Sequence, residues 1–393
     1  MPPSTTLWAA DEHTLAKHRI LRKYHDAWIP IMASQSGRLI LIDGFAGPGR
    51  YSTGEEGSPL VMLGAYLEHA ARPRIDAELN YVFIEQRQDR LEWLVGEINK
   101  IDRPMNVHLF PVQGDFAEVL PVVLNGMGGA ALAPTFLFVD PFGYSDNPME
   151  LSGRVLSFPR CEVLIYVPLR WIARFLSDDG AARAFTSVYG DDRWMKVRAV
   201  AGIDERVPLL RTLFAEALGE HARLVRPFEM LDAAGTHGYH LFFGSQNETG
   251  LSRMKKAMWS VDPGDGALFR DPTVKGQQLL FTPTPDFGIL LAMLRERFAA
   301  RPFSIEAAER FVLLETPFLH DAHLKARTLA PAERDGLLEV LTPRTKRLTY
   351  PKGTRMRFKS PTGEPGRPSR DTHPMSGRRE AGPRPSGSDH PTA

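Results

Sequence analysis

Apolar positions along this chain fall into two spacings, and the spacing changes segment by segment. Over residues 12–34 they lie at Leu21, Tyr24, Trp28 and Ile31, three or four apart, which predicts an amphipathic helix. Lys17, His18 and Tyr24 read as polar or amphipathic positions, either on its solvated face or with a ligand role. Residues 1–11 show no periodicity and read as a loose arm. An unbroken apolar run at 39–42 predicts a strand buried on both faces, and largely apolar segments at 79–84, 107–112, 135–139 and 162–167 predict further strands. Helical spacing separates them at 60–71, 89–101 and 116–124. Helical pieces at 170–175, 181–189 and 209–218, a sixth strand at 238–244 and a helix at 250–259 continue the series. Strands alternating with helices predict the α/β class and one doubly wound sheet.

From about residue 283 the pattern changes. Helices are expected at 286–298, 304–314 and 321–334, then a short strand at 337–341 after Gly336. A second strand at 355–358 pairs with it across a basic turn at 344–352. Three helices and a two-stranded basic wing describe a C-terminal winged-helix domain. Such a domain either sets a helix in a nucleic-acid groove or docks a protein. Residues from about 359 are rich in Pro, Gly, Ser and Arg without periodicity, and read as a disordered basic tail. The tail either adds salt-sensitive contact with DNA or RNA or serves only as a solubilising terminus. The expected units are an arm and helix at 1–36, a Rossmann-like domain at 37–282, the winged helix at 283–358 and the tail at 359–393.

A chain of 393 residues, 43% hydrophobic and 24% charged, is long enough for two or three domains around real cores. The formal net charge of +1 hides a basic excess after residue 344. A single cysteine, Cys161, excludes a disulfide framework or a multi-cysteine metal site within the chain, and reads as a core thiol. No secretory segment opens the sequence and no apolar run approaches a bilayer span, so a soluble cytoplasmic protein without membrane or metal is expected.

The candidate chemistry begins at residues 38–59, R-L-I-L-I-D-G-F-A-G-P-G-R-Y-S-T-G-E-E-G-S-P. An apolar run stops at Asp43, glycines follow at 44, 47 and 49, and Ser58-Pro59 reads as an N-cap and first helical position. Strand, glycine turn and helix make a nucleotide-type site beyond the carboxyl end of a strand, or else a glycine-rich turn with no ligand. The D-G-F-A-G-P-G spacing is not the dinucleotide G-x-G-x-x-G. It resembles motif I of class I S-adenosylmethionine (SAM) methyltransferases. That resemblance implies that Gly44, Phe45, Gly47 and Gly49 admit the methionine end of SAM, with Asp43 near its amino group. Glu85, ending the second strand, either holds the ribose hydroxyls or is a helix-start acid. Asp115, after the third, either meets the adenine amino group or N-caps the next helix.

The fourth strand runs into Asp140-Pro141-Phe142-Gly143-Tyr144. This resembles the strand end of amino-directed nucleic-acid methylases. There the acid and a backbone carbonyl accept from an exocyclic amine, and an aromatic stacks on the extruded base. By that resemblance Asp140 and Pro141 orient the acceptor, and Phe142 or Tyr144 stacks on it. The single proline is similar to tRNA guanine-N2 methyltransferases and leaves the target open. The other reading is a strand-end turn shaped for packing.

K-H-R-I-L-R-K-Y-H-D-A-W, I-D-G-F-A-G-P-G-R-Y, E-E-G-S-P-L, V-F-I-E, F-L-F-V-D-P-F-G and M-K-K-A-M-W together resemble the three-Cys-motif partner proteins, from about residue 12 to the end of the wing. The resemblance implies a methyltransferase-like fold and a radical-SAM-like companion bearing three cysteines, which the lone Cys161 fits. The expected function is a SAM-dependent methyltransferase acting on an amino group of a nucleic-acid base. The alternative is a non-catalytic adaptor delivering substrate or nucleic acid to the companion. A nuclease would need a metal-binding carboxylate cluster, for which no signature is visible.

Overall fold

The computed structural model describes residues 5–127, 132–143, 147–231, 237–264, 266, 268–270, 285–299 and 301–359. Tyr144 and the expected tail beyond Lys359 lie outside the described residues. The chain opens with α1 (Glu12–Ala33), whose N-cap Asp11 accepts from the Thr14 N–H. Then follow β1 (Arg38–Asp43), α2 (Ser58–Leu67), β2 (Glu78–Glu85), α3 (Gln88–Ile98), β3 (Val107–Gln113), α4 (Phe116–Met127), β4 (Thr135–Val139), α5 (Met149–Leu156) and β5 (Glu162–Val167). Next come α6 (Leu169–Phe175), α7 (Ala182–Tyr189), α8 (Ile203–Gly219), β6 (Leu224–Leu231), β7 (His237–Ser245), α9 (Glu248–Val261) and β8 (Leu268–Arg270).

These strands form one sheet in the order β3-β2-β1-β4-β5-β7-β6-β8. Only β7 runs against its neighbours; the other described pairings are parallel. Alternate side chains leave each strand on opposite faces. Leu39 and Leu41 join Tyr24, Trp28, Met62 and Met258 in one core layer. Ile40 and Ile42 join Leu120, Val155, Phe185 and Phe214 in the other. The sheet is thus covered on both sides, which is why its central strands read as unbroken apolar runs.

Three local expectations change. The polar face of α1 is not solvated: Lys17, His18 and Tyr24 are all buried, because α1 packs between α2 and α9. The arm is not loose where it is described. Thr6 Oγ1 donates to Asp89 Oδ2 at 2.5 Å, Arg90 Nη2 donates to Thr5 O at 3.2 Å, and Ser52 N donates to Trp8 O at 2.8 Å. The N-cap of α2 is Gly57 and not Ser58, because the Gly57 N–H turns back to Gly49 O at 2.7 Å and closes the glycine loop.

The C-terminal elements gather a separate core. α10 (Phe287–Phe298), β9 (Phe303–Ser304) and α11 (Ile305–Glu315) lead into a π-helical segment, His320–Leu329, continued by α12 (Ala330–Arg334). β10 (Leu338–Val340) and β11 (Arg355–Phe358) complete an antiparallel sheet in the order β10-β11-β9. Leu290, Leu294, Val312, Leu324, Met356 and Phe358 fill the space between helices and sheet. The basic turn is partly neutralised, since Arg344 pairs with Glu333 and Tyr350 Oη donates to Glu333 Oε2 at 2.8 Å.

The two units are joined through the end of α11. Its last carbonyls have no partners within the helix. Lys255 of α9, only 1% exposed, donates to Val312 O at 2.7 Å, Thr316 O at 2.9 Å and Leu313 O at 3.1 Å. Arg226 Nη2 reaches Leu314 O at 3.0 Å, and Trp259 Nε1 reaches Pro317 O at 2.8 Å. Among the described residues no helix is long and apolar enough to cross a membrane. Lys255→Met strands the Leu313 and Thr316 carbonyls, while Val312 O keeps the Thr316 hydroxyl, and is expected to cost about 3 kcal/mol. Hydrogen exchange should show α11 losing protection before the main sheet does; unchanged exchange at α11 would contradict this docking role.

Candidate functional site at the carboxyl ends of the strands

Parallel register gathers the acids. Asp43 at the end of β1 lies beside Phe83 of β2 and Phe138 of β4. Glu85 and Asp140 each stand two residues further along those strands. The Gly44 N–H extends the ladder to Phe138 O at 2.9 Å. The chain then turns over the sheet edge, with Ala46 N bonded to Ile84 O at 2.9 Å and Gly47 N to Glu85 Oε2 at 2.9 Å. Gly47 and Gly49 take φ of +61° and +79°, a region that side chains make costly, so glycine is required for this turn. Gly44 serves differently. A Cβ there would stand 2.6 Å from the Phe116 ring, so this glycine makes room for α4 and not for a ligand.

Asp43 is fully buried. Its Oδ1 accepts from Phe45 N at 3.2 Å, while Oδ2 has no well-formed hydrogen bond, with the Ser58 hydroxyl nearby. Burial pushes its carboxyl up to about 7, Ser58 and the Phe45 N–H oppose this, and the charges of Asp140 and Glu85 add to the rise. Glu85 accepts from Gly47 N and, through Oε1, from Arg87 N at 2.8 Å, and so braces the loop from beneath. Asp115 Oδ1 accepts from Ala117 N at 2.8 Å, the N-cap geometry of α4.

A cavity of about 350 Å³ opens beside the loop. Phe45, Gly47, Gly49, Asp140, Pro141 and Phe142 line it, whereas Asp43, Gly44, Glu85 and Asp115 do not. Two lining residues carry contacts that spacing alone did not point to. Lys17 Nζ donates to Asp140 Oδ1 at 2.8 Å and Oδ2 at 2.6 Å, and sits 4.2 Å from the centre of the Tyr166 ring. Trp8 meets Phe142 edge to face at 5.2 Å and Tyr51 at 5.6 Å, with the Arg90 guanidinium 4.6 Å above its ring. A signal for Lys17 was present: positions 17, 21, 24, 28 and 31 form one helical stripe, and Lys17 is its only charge. Nothing in the sequence marks Trp8.

The arrangement is a small-molecule site of ordinary size. It has a glycine loop, a buried carboxylate beneath it, and a carboxylate with aromatic rings facing the open space. No family model matches this chain, and no curated protein matches it. Solved structures do match. Trm1 from Pyrococcus horikoshii in complex with S-adenosyl-L-methionine is 12% identical, covering 92% of this chain and 94% of that chain, with a TM-score of 0.37. The O-methyltransferase from Bacillus cereus in complex with SAH is 15% identical over 57% of this chain and 80% of that chain, at 0.32. The SAH-bound Podospora anserina methyltransferase PaMTH1 is 15% identical over 55% and 75%, at 0.27.

The buried Asp43 carboxyl holds its proton up to about pH 7, but releases it near 3.8 when the chain unfolds. Stability therefore falls as pH rises through that window, by about 4 kcal/mol at most. Asp43→Asn stays neutral and should match the wild type near pH 4 while exceeding it at about pH 8 in thermal unfolding. A constant difference across that range would contradict the assignment.

Proposed function

We propose that this chain is a SAM-dependent methyltransferase acting on an amino group of a nucleic-acid base. The observation that carries the reading is Asp43: a buried carboxylate with a poorly partnered oxygen, beneath a glycine loop, beside a cavity that also holds Asp140. A ligand ammonium at Asp43 offsets the desolvation that raises its pKa. Glu85 keeps lone pairs for ribose hydroxyls beyond the two N–H groups it now accepts. When bound, SAM supplies a methyl group on a sulfonium. The chain's own residues do the rest. The turn at Gly47 and Gly49 lets backbone approach the ligand. Asp140 accepts from the acceptor amine and, with Pro141, orients its lone pair. Phe142, with Tyr166, Tyr239 and Trp171 along the same cavity, suits a planar acceptor. An amine attacking a sulfonium needs no strong base at the site.

The C-terminal helices and sheet support a winged-helix reading, with Lys346, Lys352, Arg355 and Lys359 exposed for phosphate contact. The resemblance to three-Cys-motif partner proteins adds a radical-SAM-like companion as the expected partner. A non-catalytic adaptor is the second reading. It is favoured by one observation, that Lys17 already satisfies Asp140.

Calorimetric titration with SAH tests the choice. Micromolar binding is expected, weakened about a hundredfold or more by Gly47→Asp, which forces a side chain into the left-handed turn beside Glu85. Absence of binding at millimolar SAH by folded wild-type protein would favour the adaptor.

A further inference from the structure

The methyltransferase reading assigns two contacts to a target base, an amine on Asp140 and a ring against Phe142. The chain makes both with its own N-terminal segment. Lys17 Nζ holds both Asp140 oxygens, and the Trp8 ring packs on Phe142. We propose that Trp8 and Lys17 occupy the acceptor site in cis, and that the acceptor they stand in for is a planar ring bearing an exocyclic primary amine. The proposal rests on the methyltransferase reading and names the chemistry its acceptor pocket takes.

Position 17 is not one where packing alone calls for a lysine. Leu21, Tyr24 and Trp28 on the same stripe are in the apolar core. A buried ammonium is costly unless a carboxylate and further contacts hold it. Here Asp140 does so bidentately and the Tyr166 face adds a cation–π contact, with Tyr166 itself stacked on Tyr239 at 5.4 Å. Asp11 is a second acid along the same cavity. The two carboxylates can accept from an amine of any origin. Around Trp8 the Arg90 guanidinium lies 4.6 Å from the indole and 5.1 Å from Phe142, so the slot favours a flat ring against Phe142 beneath a cation.

The two stand-ins are held differently. Lys17 projects from the continuous helix α1 and can leave Asp140 by side-chain rotation. Trp8 sits on the irregular arm, held through Ser52 N to Trp8 O, Arg90 to Thr5 O and Thr6 to Asp89. Releasing it breaks three hydrogen bonds of the arm, two of them part-buried, and the Trp8 ring contacts, uncovers the buried Arg90, and leaves the strand pairings intact. A base entering the pocket replaces the ammonium–carboxylate pair with a neutral N–H···O bond to Asp140, and the edge-to-face Trp8 contact with its own ring against Phe142.

The test uses full-length protein saturated with SAH and two pairs of nucleotides that differ at one exocyclic amine, guanosine and inosine monophosphate, and cytidine and uridine monophosphate. Trp8→Ala combined with Lys17→Met is expected to bind the guanosine or cytidine nucleotide about tenfold more tightly than wild type does, and about tenfold more tightly than its amine-free counterpart. Adding Asp140→Asn should remove that preference. Lys17→Met alone supplies a second readout. Sinefungin carries a primary amine where SAM carries its methyl group, and its affinity relative to SAH should rise about tenfold once Lys17 no longer holds Asp140. Equal binding within each nucleotide pair, or a sinefungin-to-SAH ratio unchanged in a variant that still binds SAH, overturns the proposal alone. Wild-type protein that binds no SAH overturns the methyltransferase reading and this proposal with it.

Discussion

The parallel pairing of β1 between β2 and β4 is the constraint on which the rest depends. Its register, Asp43 beside Phe83 and Phe138, brings the chain ends after three strands to one edge of the sheet. Both faces of these strands are apolar, so helices have to cover both sides, and polar chemistry is confined to the strand ends. The acids there are forced together in a dry setting. The buried carboxyl of Asp43 is the consequence, raised by desolvation and by its acidic neighbours.

Helix α1 covers part of that edge. Near its start Lys17 grips Asp140 after β4. Two turns on, Tyr24 bonds to Glu162 at the start of β5. Glu162 is itself buried, its pKa raised by desolvation and held back by the Ser245 and Tyr24 hydroxyls, with Ser245 Oγ at 2.6 Å. One helix therefore bonds to both ends of the β4–β5 pair. On the same face of the sheet, α9 packs against α1 and performs the matching task for the C-terminal unit through Lys255.

What could be read from the sequence followed from what is local and periodic. β1, β2, β4 and β5 were legible because burial on two faces leaves an uninterrupted apolar run. β6 was not, because Arg226, Pro227 and Glu229 break its run, and it gains its place from pairing with β7. α5 was also missed, and β9 is only two residues long. The loop glycines were legible as a turn, but the division of labour between Gly44, which accommodates Phe116, and Gly47, which needs positive φ, depends on a helix that arrives later in the chain. The Lys17–Asp140 pair spans 123 residues, and no period links its members. Trp8 lies on an aperiodic arm, so only the folded structure puts it beside Phe142.

A crystal structure of the full chain grown with saturating SAH is the most direct test of the central claim, that the cavity beside Asp43 is a cofactor site. The expected result is the amino-acid end of SAH against Asp43 and the turn at residues 45–49, with Asp140 and Phe142 facing the remaining cavity. SAH bound elsewhere on the chain, or a glycine loop and cavity without ligand at saturation, would contradict it.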